Sequence, residues 1–485
     1  MSRLSRWVFA VAGLVAWVGL VGAVRAQEPA KIEAKPEVKA ETKADVAPLP
    51  QVEVKPEAKA DVAPVAKNAF RAGFDLRLRE EAFDKFQLPG ASAVPNTYFR
   101  IRPRIWAEAD LLDNVTLRIR GVDEFRYYIK PSYEDDFNMD APYKFGDEIV
   151  FDHIYLDIKG MLKKKLDLRI GRQDLMYGKG WVMLDGTPGD GSRTLYFNAI
   201  KATWKGIDKT TVDAFGLYNP GEDPLAIGNE DRNITSYSAA LTPNDVAESG
   251  AGVYAVCKAF KIPFDTYGIY KREDGYVDKK TTNNVPAGKI GTVGFRVMPT
   301  LCTANNISAL LEAAYQFGTR GDADIGAYLV EATLTYAPKV MLKPSVEAGI
   351  YMLSGDDAST KDKNEGWDPL FARFPQHSDM YVFWYSGGRW SDLTMPKLTA
   401  SFWPCEQFKA TAMIANLQAA EESSTGGKER GWLYLLKGEA DLSSLFDLSK
   451  DALKGHLLLE CLKPGDYYAG DDTAYFARWE LAYTY

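Results

Sequence analysis

Arginine takes alternate positions in Y-F-R-I-R-P-R-I-W-A-E-A-D, residues 98–110, as Arg100, Arg102 and Arg104. The spacing returns as Arg77 and Arg79 in residues 74–80, and as Arg118, Arg120 and Arg126 in residues 115–126. Arg169 and Arg478 stand in alternating stretches of their own. A guanidinium is planar and offers paired N–H donors, so a row of them suits carboxylates, and a polyanion bearing carboxylates is a fitting ligand. Glu108, Asp110, Glu124 and Glu480 lie on the same rows. They would pair with some of the arginines, so capture of an outside anion and internal pairing both stay open on the sequence.

Catalytic chemistry finds little to work with. The three histidines, His153, His377 and His456, are isolated, and there is no G-x-S-x-G, H-E-x-x-H or P-loop motif. The glycines of residues 185–192 read as turn chemistry. The sequence therefore reads as a non-enzyme with no cofactor, with one cation site to weigh: Asp356, Asp357 and Asp362 cluster hard oxygens that suit calcium. A solvated external loop is the simpler reading of that segment. Cys257, Cys302, Cys405 and Cys461 are far apart without a C-x-x-C, which argues against zinc and leaves their pairing open.

The elements that must carry these rows are strands. With a period of two, Phe99, Ile101, Pro103, Ile105, Ala107 and Ala109 face away from the arginines, giving one wet side and one oily side. A soluble sandwich also makes such a strand, but a charged row repeated in segments of about ten residues is the pattern of a water-filled barrel. No run beyond the first 25 residues is apolar for the roughly 18 residues a spanning helix needs, so a membrane would be crossed by strands. Candidates are 74–80, 98–110, 115–126, 153–159, 166–173, 194–205, 210–219, 250–260, 264–273 and 289–299. They continue as 307–318, 325–336, 341–354, 395–402, 407–419, 429–442, 455–464 and 473–485. Adding the ambiguous Asn233–Thr242 makes the total odd, whereas a barrel with both ends in the periplasm needs an even number. Either that stretch is loop, or the pieces flanking Lys261-Ile262-Pro263 form one bent strand; both repairs leave about eighteen strands and a lumen wide enough for an aqueous channel.

Connections alternate in length. Short ones fall at 112–114, 161–165, 206–209, 337–339 and 403–406, and long ones rich in Gly, Asp, Asn and Pro at 130–147, 177–193, 220–232, 274–288 and 355–378. That asymmetry belongs to outer-membrane barrels, with the short turns in the periplasm. The last strand sets Tyr475, Trp479, Leu481, Tyr483 and Tyr485 on one face, as interfacial aromatics and as the terminal signal that barrel-assembly machinery reads.

The expectation is an all-β fold: a transmembrane antiparallel β-barrel of about 18 strands over residues 68–485, preceded by a disordered tether. Residues 1–26, with Arg3, Arg6 and an apolar run to Val24, read as a secretory signal peptide. Residues 27–67, built from Ala, Lys, Glu, Pro and Val, bury too little apolar surface to order and read as a linker. Removing Arg3, Arg6 and Arg25 takes the net charge from −8 to −11, which argues against a nucleic-acid partner.

At Leu168-Arg-Ile-Gly-Arg-Gln-Asp-Leu-Met-Tyr-Gly178, followed by Trp181 and the loop from Asp185 to Arg193, the chain resembles the alginate export family of outer-membrane porins. Ala313-Ala-Tyr-Gln-Phe-Gly318, Ser354-Gly-Asp-Asp357 with Trp367-Asp-Pro-Leu-Phe371, and the R-x-R strands extend the likeness over roughly residues 70–485. It implies an eighteen-stranded barrel in the bacterial outer membrane whose arginine-rich lumen exports an anionic exopolysaccharide. Arg172 and Gln173 are its motif pair, and these two, Arg193 and the R-x-R arginines are the lumen residues it implies. The tether is not part of the family pattern. Partners would be membrane lipid, an anionic polysaccharide or small anions, and periplasmic export proteins. Two other functions fit the residues, a general or small-anion porin and a plugged barrel acting as adhesin or scaffold.

Overall fold

The computed structural model describes residues 69–85, 96–130, 145–146, 149–184, 196–227, 246–277, 284–372, 377–381, 391–424 and 426–485. The expected leader and linker, the stretch Asn233–Thr242 and Arg193 lie outside them.

Alternation becomes sheet. The strands are β1 (Phe70–Asp84), β2 (Asn96–Leu112), β3 (Val115–Asp123, continued by Phe125–Lys130), β4 (Ile149–Gly160), β5 (Leu166–Gln173) and β6 (Phe197–Ile207). There follow β7 (Thr210–Asn219), β8 (Glu248–Cys257), β9 (Phe264–Glu273), β10 (Gly288–Val297), β11 (Ile307–Arg320) and β12 (Ala323–Tyr336). The last six are β13 (Ser345–Leu353), β14 (Leu393–Cys405), β15 (Phe408–Gln418), β16 (Glu429–Asp441), β17 (Leu453–Lys463) and β18 (Ala474–Thr484). Each strand pairs antiparallel with the next, and β18 returns to β1 in register from Asp75↔Thr484 to Asp84↔Tyr475, closing an 18-strand barrel. Closure is what a bilayer demands, because an open edge would leave backbone N–H and C=O groups unpaired in hydrocarbon.

Exposure identifies the two faces. Ile105 is 71% exposed while Arg79 is 0% exposed, the reverse of a soluble sheet. Phe74, Val293, Phe295, Leu398 and Leu436 share the outward, oily row, and the arginines, Glu81 and Glu480 share the inward one. No helix of the described residues is long and apolar enough to cross a membrane.

The expected strands at 166–173, 210–219 and 264–273 stand at those bounds. The bent-strand repair is overturned, because β8 and β9 are separate strands paired from Glu248↔Glu273 to Cys257↔Phe264, and the chain reverses at 258–263. The expected strand 341–354 begins only at Ser345, since Leu342 and Lys343 take positive φ (68° and 41°) in a turn that runs through Pro344. One connection on the long-loop end is only two residues, Gly321 and Asp322 between β11 and β12.

At the seam, Phe74 and Tyr485 exchange backbone hydrogen bonds of 3.2 and 2.9 Å, so the neighbouring Asp75↔Thr484 pair is a non-hydrogen-bonded site with close Cα atoms. Asp75→Cys with Thr484→Cys, in a background lacking the four native cysteines, is expected to oxidise to an intramolecular disulfide, read as a mobility shift on non-reducing gels of denatured protein. Two thiols that stay free under oxidant would mean that the cylinder does not close there.

Candidate functional site

Closure places β18, β1, β2, β3 and β4 side by side, and their inward rows form one field of guanidinium and carboxylate. Arg77 reaches Glu124 at 2.7 Å, and Arg100 reaches the other oxygen of the same carboxylate at 2.5 Å. Arg79 spans the seam to Glu480 at 2.5 Å and meets Glu81 at 3.1 Å, while Arg100 lies 3.2 Å from Glu81. Arg104 holds Asp75 at 2.6 Å, and Arg120 grips Asp152 with two bonds of 2.7 and 2.8 Å. Arg118 bonds Glu108 and lies 4.7 Å from the Trp106 ring centroid. Arg126 lies over Tyr98 at 5.0 Å, and Arg169 pairs with Asp157 at 2.6 Å over Tyr155. Arg478 donates to His456 at 3.1 Å and lies 3.1 Å from Asp379.

Arg102 differs from these. It stands opposite Arg77 in the β1–β2 register and two residues from Arg104, is 5% exposed, and its Nε and Nη1 have no hydrogen-bond partner. Glu124, in the break between the two parts of β3, is committed to Arg77 and Arg100. The field therefore contains a buried cation with donors to spare.

The G-R-Q motif turns elsewhere. Gly171 has φ +124°, and a Cβ there would meet the Ile154 carbonyl oxygen at 2.1 Å, so only glycine fits at this point, while the register runs on unbroken and leaves Arg172 on the row of Ile170, opposite to Arg169. From that row Arg172 reaches Asp223 at 2.9 Å, Asn198 at 3.0 Å and the Tyr196 ring, and Tyr196 also bonds Asp223. Gln173 donates to the carbonyls of Gly171 and Ala199. Arg172 and Gln173 are thus tied into the wall and the 220–227 segment, apart from the arginine field.

The other half of the barrel interior combines apolar packing with buried ion pairs. Described parts of the two connections at 174–196 and 354–392 fold inward and pair with each other as a short parallel ladder, Met183–Leu184 with Phe371–Ala372. Leu175, Trp181, Val182, Met183, Trp367, Leu370 and Met380 are buried in one cluster with Phe197, Leu217, Leu329, Leu353 and Met395 of the wall. Tyr177 stacks on Tyr254 at 4.6 Å, which stacks on Tyr267 at 5.5 Å; such pairs add about 0.5–1.5 kcal/mol each beyond area burial. Lys179 and the Trp181 indole both reach Glu331 at 2.7 Å, and Arg320 and Gln316 hold Asp368 at 2.9 and 2.7 Å. His377 lies between Trp181 and Tyr351, and burial pushes its imidazole well below the usual range, so it stays neutral. The wide lumen expected from strand number is narrowed by this packing, an outcome that loop composition rich in Gly, Asp and Pro did not announce. The apolar run Trp181–Leu184 was the available signal.

Asp356 accepts from the Glu365 N–H and Asp357 from the Ser359 N–H, and no group of three or more His, Cys, Asp or Glu is placed to hold a metal among the described residues. Asp357 is held below its usual range by its bonds to Ser359. The four cysteines are free thiols.

A family model described as alginate export matches residues 69–423 of the 485. The chain belongs to the alginate export family. No curated protein matches this member of the family. Solved barrels share its fold. OccK5 (OpdH) of Pseudomonas aeruginosa is 11% identical with a TM-score of 0.55, over 85% of this chain and 97% of that one. The outer membrane protein OpdK of the same organism is 11% identical at TM-score 0.51, over 86% and 99%. OccK2 (OpdF) of P. aeruginosa, solved in complex with glucuronate, is 11% identical at TM-score 0.52, over 85% and 97%. At such identities the likeness speaks to fold alone. Family and barrel together make the chain an outer-membrane channel, located in the bacterial outer membrane, in contact with its lipid and with what it transports.

Glu331 is 0% exposed, and its register partner Glu312 is buried beside it. Lys179→Met leaves the buried Glu331 with the Trp181 indole but without its half-buried cation, a loss of roughly 1.5–3 kcal/mol for one charged hydrogen bond. The expected outcome is a loosened 174–184 segment, read as higher single-channel conductance and faster protease cleavage within it. Unchanged conductance and cleavage would mean that the pair does not hold the loop.

Proposed function

We propose that this channel passes an anionic, uronate-type polysaccharide, alginate or a chemical relative, along an arginine-lined lumen, with no chemistry inside the barrel. Arg102 carries the reading. A buried donor without a partner costs about 1–3 kcal/mol, so a site that keeps one is relieved by an arriving acceptor. The arginines on either side, Arg77 and Arg104, repel a cation and favour a carboxylate there. The paired arginines around them supply a positive wall whose carboxylates are fixed on strands, which lets a polyanion move from one guanidinium to the next without any one site holding it tightly.

The inward-packed connections favour a second reading, a channel for small carboxylates, because they narrow the interior. Oligouronate and monomeric glucuronate, the ligand in the OccK2 structure, separate the two in planar bilayers. Block of the chloride current by oligouronate supports polysaccharide passage. Competition by glucuronate with no effect of oligouronate supports the small-anion channel, and absence of any current returns the plugged barrel.

Arg102→Gln is expected to raise the half-blocking oligouronate concentration by about tenfold, the loss of one charge-assisted hydrogen bond. Heat-modifiable gel mobility should be unchanged. A block curve identical to wild type would remove Arg102 from the substrate path.

A further inference from the structure

The backbone of the turn at 378–381, in the connection between β13 and β14, is held to the wall by a side chain of β17. Glu460, itself buried, accepts Ser378 Oγ at 2.7 Å, the Asp379 N–H at 3.1 Å and the Met380 N–H at 2.9 Å. Ser378 Oγ in turn accepts the Tyr381 N–H at 3.0 Å, capping the turn. Backbone donors at the start of a turn have no partner of their own, so a carboxylate that takes two of them fixes both position and direction.

The consequence falls on Asp379. With its backbone held by Glu460, its Oδ2 lies 3.1 Å from Arg478 Nη1, on the inward row of β18. The same guanidinium nitrogen is 3.8 Å from Glu81, which also bonds Arg79 and Arg100, so Arg478 is part of the arginine field. The Asp379 side chain is 13% exposed against 3% for Arg478, so the loop carboxylate covers the guanidinium. Glu81 and Glu480 belong to strands and stay where they are. Asp379 belongs to a connection, and it presents to Arg478 the same chemical group that a uronate carries.

We infer that Asp379 occupies, in the resting channel, a carboxylate position on Arg478 that a uronate of the substrate takes during transit. Binding of the polyanion and withdrawal of the turn from Arg478 are then one exchange. Carboxylate replaces carboxylate on the same guanidinium, so the wall keeps its charge balance while the loop is released. The coupling is reciprocal: whatever weakens Asp379 at Arg478 strengthens the substrate there.

This rests on the polysaccharide reading above, and oligouronate block of the chloride current in planar bilayers tests both. Asp379→Asn removes the internal competitor and is expected to lower the half-blocking oligouronate concentration by about tenfold, the gain when a site is freed from an occupant that holds it most of the time. Asp379→Glu, which keeps the charge, should stay near wild type. If D379N does not assemble, by heat-modifiable mobility, Ser378→Ala loosens the anchor without changing any charge and carries the same expected direction. Wild-type protein that oligouronate fails to block would overturn the polysaccharide reading and this inference with it. A wild type that is blocked, with D379N or S378A blocked at the same concentration, would overturn this inference alone.

Discussion

The pairing of β18 with β1 is the constraint on which everything else depends. Without it two strand edges would face hydrocarbon with unpaired backbone groups, and the sheet could not cross a bilayer. With it, residues far apart in the chain become neighbours: Arg79 meets Glu480, and Arg478 comes within reach of Glu81. The alternation of each strand then decides the rest. One row must be oily, so the charged row has only the interior to face, and charges enclosed there must find partners or bind them.

That enclosure explains why the arginines are arranged as a network. A desolvated guanidinium is costly alone, and one carboxylate shared between two, as Glu124 is between Arg77 and Arg100, offsets the cost for both. Arg102 is left over, with Nε and Nη1 donors that no acceptor takes. The opposite half of the interior pairs its buried charges too, as Lys179 with Glu331 and Arg296 with Asp265, and adds apolar packing. Two connections bring Trp181, Met183 and Phe371 inside, where aromatic and aliphatic wall residues meet them. The guanidinium field on one side and the inward-packed connections on the other together narrow the interior.

Much of this was legible in the sequence because period two is a strong signal. The inward placement of Arg77, Arg79, Arg100, Arg102, Arg104, Arg120 and Arg478 follows from alternation alone, as do the strands at 166–173, 210–219 and 264–273. What pairs with each arginine was only partly legible. Glu124 and Glu480 could be named from parity, but Asp379, Asp223 and Asp152 reach their arginines through loop paths or a register break that local pattern does not encode. Arg172 falls by the same alternation on the row of Ile170, opposite to Arg169, where it meets Asp223. The inward folding of the long connections was hidden because loop composition reports turn propensity, whereas burial of Trp181–Leu184 is decided by what lies across the barrel.

The central claim, that a closed barrel encloses a guanidinium wall with unspent capacity for anions, is tested most directly by the reversal potential of the purified wild-type channel under a potassium chloride gradient in planar bilayers. A potential whose sign marks preferential chloride passage is the predicted result. A potential of zero, or one marking preferential potassium passage, would contradict it.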